Sequence, residues 1–189
     1  MEKKIILGID PGTTITGYGV ILVEGNKPTP ITMGVLELKK YSDHYLKLQK
    51  IFERVIQLID TYQPHELAIE SPFFGKNEQS TLKLGRAQGV AMAAALSRSI
   101  PIFEYAPLRI KQSITGRGNA SKEQVALFLK KFLNLTEDPK FFDATDGLAA
   151  AVCHFFQSQR PVSKSVTTNW KDFIKKNPHR IKGVVSNKI

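Results

Sequence analysis

Asp143 and Asp146 lie three positions apart in the stretch FFDATDGLAAAV, at the start of an apolar helix. That is nearly one helical turn, so both carboxylates leave the same face. Asp10 closes the hydrophobic run KKIILGID, and Glu70 closes ELAIE, an apolar strand in which an unpaired charge is costly. Each acid alone has an ordinary explanation. Asp143 suits an N-cap, and an acid near a helix N-terminus is favoured by the helix dipole. Asp10, before Pro11 and Gly12, suits a turn. Four together are harder to explain by structure alone. Converging carboxylates raise one another's pKa and call for cations. All-oxygen donors suit hard Mg²⁺ or Mn²⁺ and not zinc, and His44, His65, His154 and His179 are too scattered to form a competing site. Two such cations stabilise the attacking and leaving oxygens of a phosphodiester displacement. In a basic chain, that chemistry suggests a nuclease.

The chain has 189 residues and a formal charge of +10, a balance that favours a polyanionic partner, nucleic acid first. The charge is uneven. Residues 160–189 hold eight lysines or arginines against one acid, Asp172, a local charge of +7, and residues 1–159 carry the remaining +3. The expected organisation is a catalytic domain over 1–159 and a basic, flexible tail over 160–189. No run reaches the roughly 18 apolar residues of a membrane span. MEKKIILGID reads as a first strand and not a signal peptide. Cys153, the single cysteine, reads as a buried thiol. A cytoplasmic protein is expected.

The elements that must position the acids follow from periodicity. KKIILGID and GYGVILVEG form a hairpin, and ITMGVLELK follows a turn at 25–30 as a third strand. Apolar residues at spacings of three and four predict a helix over 44–62, stopped by Pro64. ELAIE is a short central strand and IPIFEYAP a fifth. Further helices are expected over 78–98, 107–115, 121–133 and 143–158. Ser121 with Gln124 reads as a capping box, which puts Lys122 in the first turn of its helix. Three strands followed by alternating helices and strands predict an α/β fold, a mixed sheet with helices on both faces. Asp10 and Glu70 then fall at strand ends, where functional groups collect in such sheets.

Five motifs, in order, resemble the RuvC family of Holliday-junction resolvases in the ribonuclease H-like superfamily. They are LGIDPGTTITGYGV, LAIESPFFGKN, STLKLGRAQGVAMAAA, FEYAPLRIKQSITGRGNASKEQV and DATDGLAAAVCH, spanning about residues 5–158. The resemblance implies a ribonuclease H-like five-stranded sheet and a homodimer that binds a four-way DNA junction. The dimer would nick two strands of like polarity by metal-dependent attack of water, leaving 5′-phosphate and 3′-hydroxyl ends, in recombination and repair. Mg²⁺, two ions per site, is the implied cofactor, with Mn²⁺ able to substitute. Asp10, Glu70, Asp143 and Asp146 match the family's metal-binding catalytic acids, and histidine also occurs in the family at the Asp143 position. Lys111 and Lys122 match lysines used near the scissile phosphate. Phe73 matches an aromatic that stacks on junction bases, and Lys76, Lys83, Arg86, Arg117 and Lys122 are the implied DNA contacts. Gln88 departs from the pattern, where arginine is common; Arg86 stands two places earlier. The implied cellular partner is the branch-migration motor of RuvA with RuvB.

Other readings compete. GIDPGTT, with Gly8, Gly12, Gly17 and Gly19, also resembles the phosphate loop of actin-like ATPases, but one short chain supplies only one of their two domains. A non-enzymatic junction binder would not need four acids. Another structure-selective or transposase-like nuclease on the same fold is the main alternative. Because the chain has one set of acids, a two-fold dimer is expected to supply the second site. The helix over 78–98 is the candidate interface, because its run Val90–Leu96 is small and apolar on more sides than a surface helix needs, with Ala94 and Leu96 as candidate contacts.

Overall fold

In the computed structural model, which describes residues 3–72, 77–135, 142–159 and 174–175, the elements run in the order expected. They are β1 (Lys3–Asp10), β2 (Ile15–Glu24), β3 (Lys27–Glu37), α1 (His44–Tyr62), β4 (Glu66–Glu70), α2 (Glu78–Leu96), β5 (Ile102–Tyr105), α3 (Pro107–Thr115), α4 (Lys122–Phe132) and α5 (Phe142–Ser158). All belong to the first of two units, Met1–Gln159 and Arg160–Ile189. The sheet order is β3-β2-β1-β4-β5. β1, β2 and β3 form an antiparallel meander, while β4 and β5 run parallel to β1. The alternation of strand side chains divides the core in two. Leu7, Ile9, Val20, Leu67 and Ile69 pack with α1 and α2 on one face. Ile6, Ile21 and Ala68 pack with α3, α4 and α5 on the other.

The close seating of α5 on the sheet depends on glycine. Gly8 on β1, Gly17 and Gly19 on β2, and Gly147 on α5 meet backbone to backbone. A β-carbon at Gly19 would fall 2.5 Å from the Leu148 Cα, and one at Gly147 would fall 2.5 Å from the Tyr18 Cα. The absence of side chains brings helix and strands closer than any other residue permits. This corrects the phosphate-loop reading: Gly8, Gly17 and Gly19 face a helix of the same chain.

Three other expectations need correction. The turn after β2 is shorter than 25–30, because Pro28 and Pro30 lie within β3. β3 is an edge strand, where a residue without an N–H is tolerated. Asp143 lies inside the first turn of α5, which begins at Phe142, and does not cap it. Ala94 is fully buried against the chain's own core, so it cannot face a partner, whereas Leu96 is 63% exposed. Phe73 and Lys76 lie outside the described residues, as do 160–173 and 176–189. No helix among the described residues is long and apolar enough to cross a membrane.

Candidate active site

Two strands, two helices and a helix N-terminus bring the charged residues together. The parallel register sets Ile9 opposite Ile69, so Asp10 and Glu70 emerge side by side from the ends of β1 and β4. α5 crosses above them and presents Asp146. α3 supplies Lys111 and the first turn of α4 supplies Lys122. Asp10, Glu70, Asp146, Lys111 and Lys122 surround a cavity of about 260 Å³, over an apolar floor that includes Ile110 and Val125. The expected capping box is present, with Ser121 and Gln124 bonded reciprocally. It fixes Lys122 at the start of α4.

Lys122 holds the acids together. Its Nζ lies 2.5 Å from Asp146 Oδ2 and 3.3 Å from Asp143 Oδ1, which joins the fourth acid to the group. Burial opposes charge on this lysine, but the hydrogen bond and attraction to Asp146, with Asp143 adding to it, hold its pKa above the ordinary lysine range. The four carboxylates are not closed into a ligand shell. Among the described residues, no group of three or more His, Cys, Asp or Glu side chains sits at metal-ligating spacing. Lys122 is the paired counter-ion, and Lys111 adds a weaker attraction to Glu70 and Asp146.

That counter-ion does not satisfy the site. Burial, with repulsion from Asp146, pushes the Asp10 carboxyl up to about 6 despite the pull of Lys122. Burial, with repulsion from Asp10 and Asp146, pushes Glu70 up to about 8, against the pull of Lys122 and Lys111. Asp146 is also raised, chiefly by burial, although its hydrogen bond from Lys122 acts the other way. Such a site has more negative charge than its own cations neutralise. An all-oxygen donor set with that deficit fits hard divalent cations.

Other predicted contacts lie elsewhere. Lys83, Arg86 and Arg117 are exposed, and none is among the described residues lining the cavity. Gln88 is buried, and its Nε2 donates a 2.8 Å hydrogen bond to Glu104 Oε2 on β5. The residue that departs from the family pattern therefore joins α2 to β5, and Arg86 remains free to face solvent. Sequence reasoning missed the glycines that seat α5 and a buried array around His154. The available signal was spacing: Asp146 and His154 are eight residues apart, so they share a helix face.

Three comparisons bear on this geometry. The family model described as crossover junction endodeoxyribonuclease RuvC matches residues 6–154. A crossover junction endodeoxyribonuclease RuvC of Bacteroides fragilis is 64% identical over 96% of this chain and 98% of its own length. One from Porphyromonas gingivalis is 57% identical, also over 96% and 98%. Thermus thermophilus RuvC in complex with a Holliday junction substrate superposes with a TM-score of 0.76 and 31% identity, covering 82% of this chain and 94% of that one.

Proposed function

Because the chain belongs to the RuvC family of crossover junction endodeoxyribonucleases and is a Holliday junction resolvase, we propose that Asp10, Glu70, Asp143 and Asp146 form its catalytic centre and bind Mg²⁺. The observation that carries this reading is the cavity where acids from β1, β4 and α5 meet Lys111 and Lys122. Two divalent cations, when bound, supply the charge that stabilises attacking and leaving oxygens at a phosphodiester; Mn²⁺ has the same donor preference. Asp10 interacts with Asp146 and Asp143 on α5 and with Glu70 on β4, which suits it to be the central ligand. Lys111 and Lys122 line the same cavity, so a scissile phosphate entering it meets two ammonium groups. Lys122, which here neutralises Asp143 and Asp146, is placed to neutralise a phosphate oxygen once those acids have another cation. The apolar floor limits water around these charges, which strengthens each interaction.

DNA contacts extend outward from this centre. Phe73 and Lys76 follow Glu70 directly in sequence, and Phe73 stacks on a junction base, a contribution of roughly 1–3 kcal/mol. Lys83, Arg86 and Arg117 bind backbone phosphates. The basic residues of 160–189 add sequence-independent affinity by counterion release. Deleting residues 160–189 is therefore expected to flatten the plot of log binding constant against log salt by about 0.9 for each phosphate contacted. Cleavage at low salt should persist, and an unchanged slope would place the tail off the DNA.

One chain carries one set of acids, so paired nicks in strands of like polarity require a symmetric homodimer. The outer face of α2 suits the interface. Leu82 and Leu96 are exposed, and Gly85, Gly89 and Ala93 lie between them at helical spacing. A β-carbon at Gly85 or Gly89 would meet nothing within 4 Å, so a second helix has room for close approach. RuvA with RuvB, acting on the same junction, is the proposed motor partner. The test is cleavage in Mg²⁺ of four-way junctions, forks and linear duplex, followed by mixing wild type with Asp10→Asn under subunit exchange. Four-way junctions should be cut in strong preference, and heterodimers should accumulate singly nicked junctions. Only fully resolved and uncut junctions, from proven heterodimers, would overturn one site per subunit.

A further inference from the structure

Behind the catalytic cavity, on the same face of the sheet, lies a second polar group that no step above uses. His154 on α5 is 3% exposed. Its Nε2 is 2.6 Å from Glu66 Oε2 on β4, and its Nδ1 is 2.6 Å from the Tyr105 hydroxyl on β5. Lys4 on β1 forms an ion pair with the same Glu66 carboxylate. Phe103 stacks on the imidazole with ring centroids 4.3 Å apart.

The protonation pattern of this array is determined by its members. Burial resists ionisation of Glu66, but hydrogen bonds from Lys4 and His154 outweigh it and hold the carboxyl below its ordinary range. A carboxylate only accepts, so Nε2 must carry the proton. Burial keeps His154 neutral, which leaves Nδ1 as an acceptor for the Tyr105 hydroxyl. Every buried polar atom of the imidazole then has one partner.

Each element that bears a catalytic acid contributes one member. Lys4 shares β1 with Asp10, Glu66 shares β4 with Glu70, and His154 shares α5 with Asp143 and Asp146. The lengths match as well. Glu66 to Glu70 spans four strand residues, about 13 Å. His154 to Asp146 spans eight helical residues, about 12 Å. One such length away from Glu66 and His154, Glu70 on β4 and Asp146 on α5 line the same cavity.

We propose that the Lys4–Glu66–His154–Tyr105 array is a register pin, which fixes α5 along the sheet so that Asp143 and Asp146 stay beside Asp10 and Glu70, where a cation can draw the four together. His154 and Tyr105 are thus positioning residues. Glycine contacts alone let α5 approach but give no directional bond to stop it sliding, whereas hydrogen bonds at both imidazole nitrogens do. The inference rests on the reading of the four acids as a metal centre.

The test uses full-length Tyr105→Phe, which removes one hydroxyl, His154→Phe, which keeps the ring stack, and His154→Gln, which keeps an N–H for Glu66. Leu58→Ala, in the core on the other face of the sheet, serves as a control for loss of stability without loss of the array. Junction binding in chelator, the rise of melting temperature with Mg²⁺ in the absence of DNA, and single-turnover cleavage are measured well below the melting point. Tyr105→Phe and His154→Phe should bind junctions within about twofold of wild type. Their Mg²⁺ midpoint from melting should rise about threefold or more, and cleavage should fall about tenfold or more. His154→Gln should recover part of both losses, and Leu58→Ala should show neither. If His154→Phe does not fold, Tyr105→Phe decides. A wild-type Mg²⁺ midpoint and cleavage rate in the folded array variants would overturn the pin. Asp10→Asn is measured alongside: full cleavage by that variant sinks the metal-centre reading itself, while its inactivity beside normal array variants sinks only the pin.

Discussion

Glu70→Gln is expected to reduce junction cleavage by at least about a thousandfold while making the metal-free protein more stable at pH 8. The two effects have one cause. Glu70 is buried beside Asp10 and Asp146, and its carboxyl is pushed up to about 8. In the unfolded chain the same group loses its proton near the ordinary glutamate value of about 4.3. The unfolded state therefore releases a proton that the folded state holds, and stability falls as pH rises from about 4.5 to about 8. Asp10, pushed up to about 6, adds a similar loss over a lower window. A shift of this size corresponds to several kcal/mol at pH 8, or roughly 10 °C in melting temperature for a chain of this length, as an upper bound. Glutamine is neutral at every pH, so the variant should show a flatter melting curve against pH in chelator. Mg²⁺ should stabilise the wild type at pH 8 much more than the variant. The measurements are melting temperature against pH, with and without Mg²⁺, and single-turnover cleavage. A variant that cleaves at the wild-type rate, or loses stability at pH 8 in chelator, would contradict the proposed role of the acid.

The stored repulsion also shows which parts of the site the sequence makes visible. Asp10 and Glu70 stand out because each ends an apolar strand, a local anomaly that needs no tertiary information. Asp143 and Asp146 stand out by helical spacing. Lys122 follows from the capping box that sets it at the start of α4. Five strands and five helices follow from period and punctuation alone. What is not visible is whatever depends on neighbours distant in sequence. Pro28 and Pro30 look like turn residues until β3 is known to be an edge. Ala94 and Leu96 belong to one apolar run, but which of them faces outward depends on where α2 lies on the sheet. His154 is one of four scattered histidines until α5 brings it to Glu66 and Tyr105. Gly8, Gly17 and Gly19 fit a phosphate loop in principle, because a glycine records that something comes close without recording what.

Those glycines carry the second large effect. Gly147→Ala is expected to reduce cleavage about a hundredfold in protein that still folds. The new methyl would lie 2.5 Å from the Tyr18 Cα and nitrogen, both backbone atoms that cannot rotate away. Ordinary van der Waals contact needs about 1 Å more, so α5 must lift from β2 by about that amount. Overpacking of this kind costs roughly 1–3 kcal/mol. Alanine returns up to about 1 kcal/mol through its higher helix propensity, so the net loss of stability should be small. The loss of function should not be. Gly147 follows Asp146 directly and lies one turn beyond Asp143, so lifting the helix carries both carboxylates away from Asp10 and Glu70, which stay on the sheet. A misplacement of about 1 Å in a positioned reacting group costs on the order of a hundredfold in rate. Junction affinity should change little, since the proposed DNA contacts outside the cavity lie on α2, on the loop after α3, beyond Glu70 and in 160–189, and Lys111 and Lys122 lie on α3 and α4. Melting temperature, junction binding and single-turnover cleavage of the same preparation separate the three quantities. Near-normal cleavage by a well-folded Gly147→Ala protein would mean that the close seating of α5 does not set the spacing of the acids.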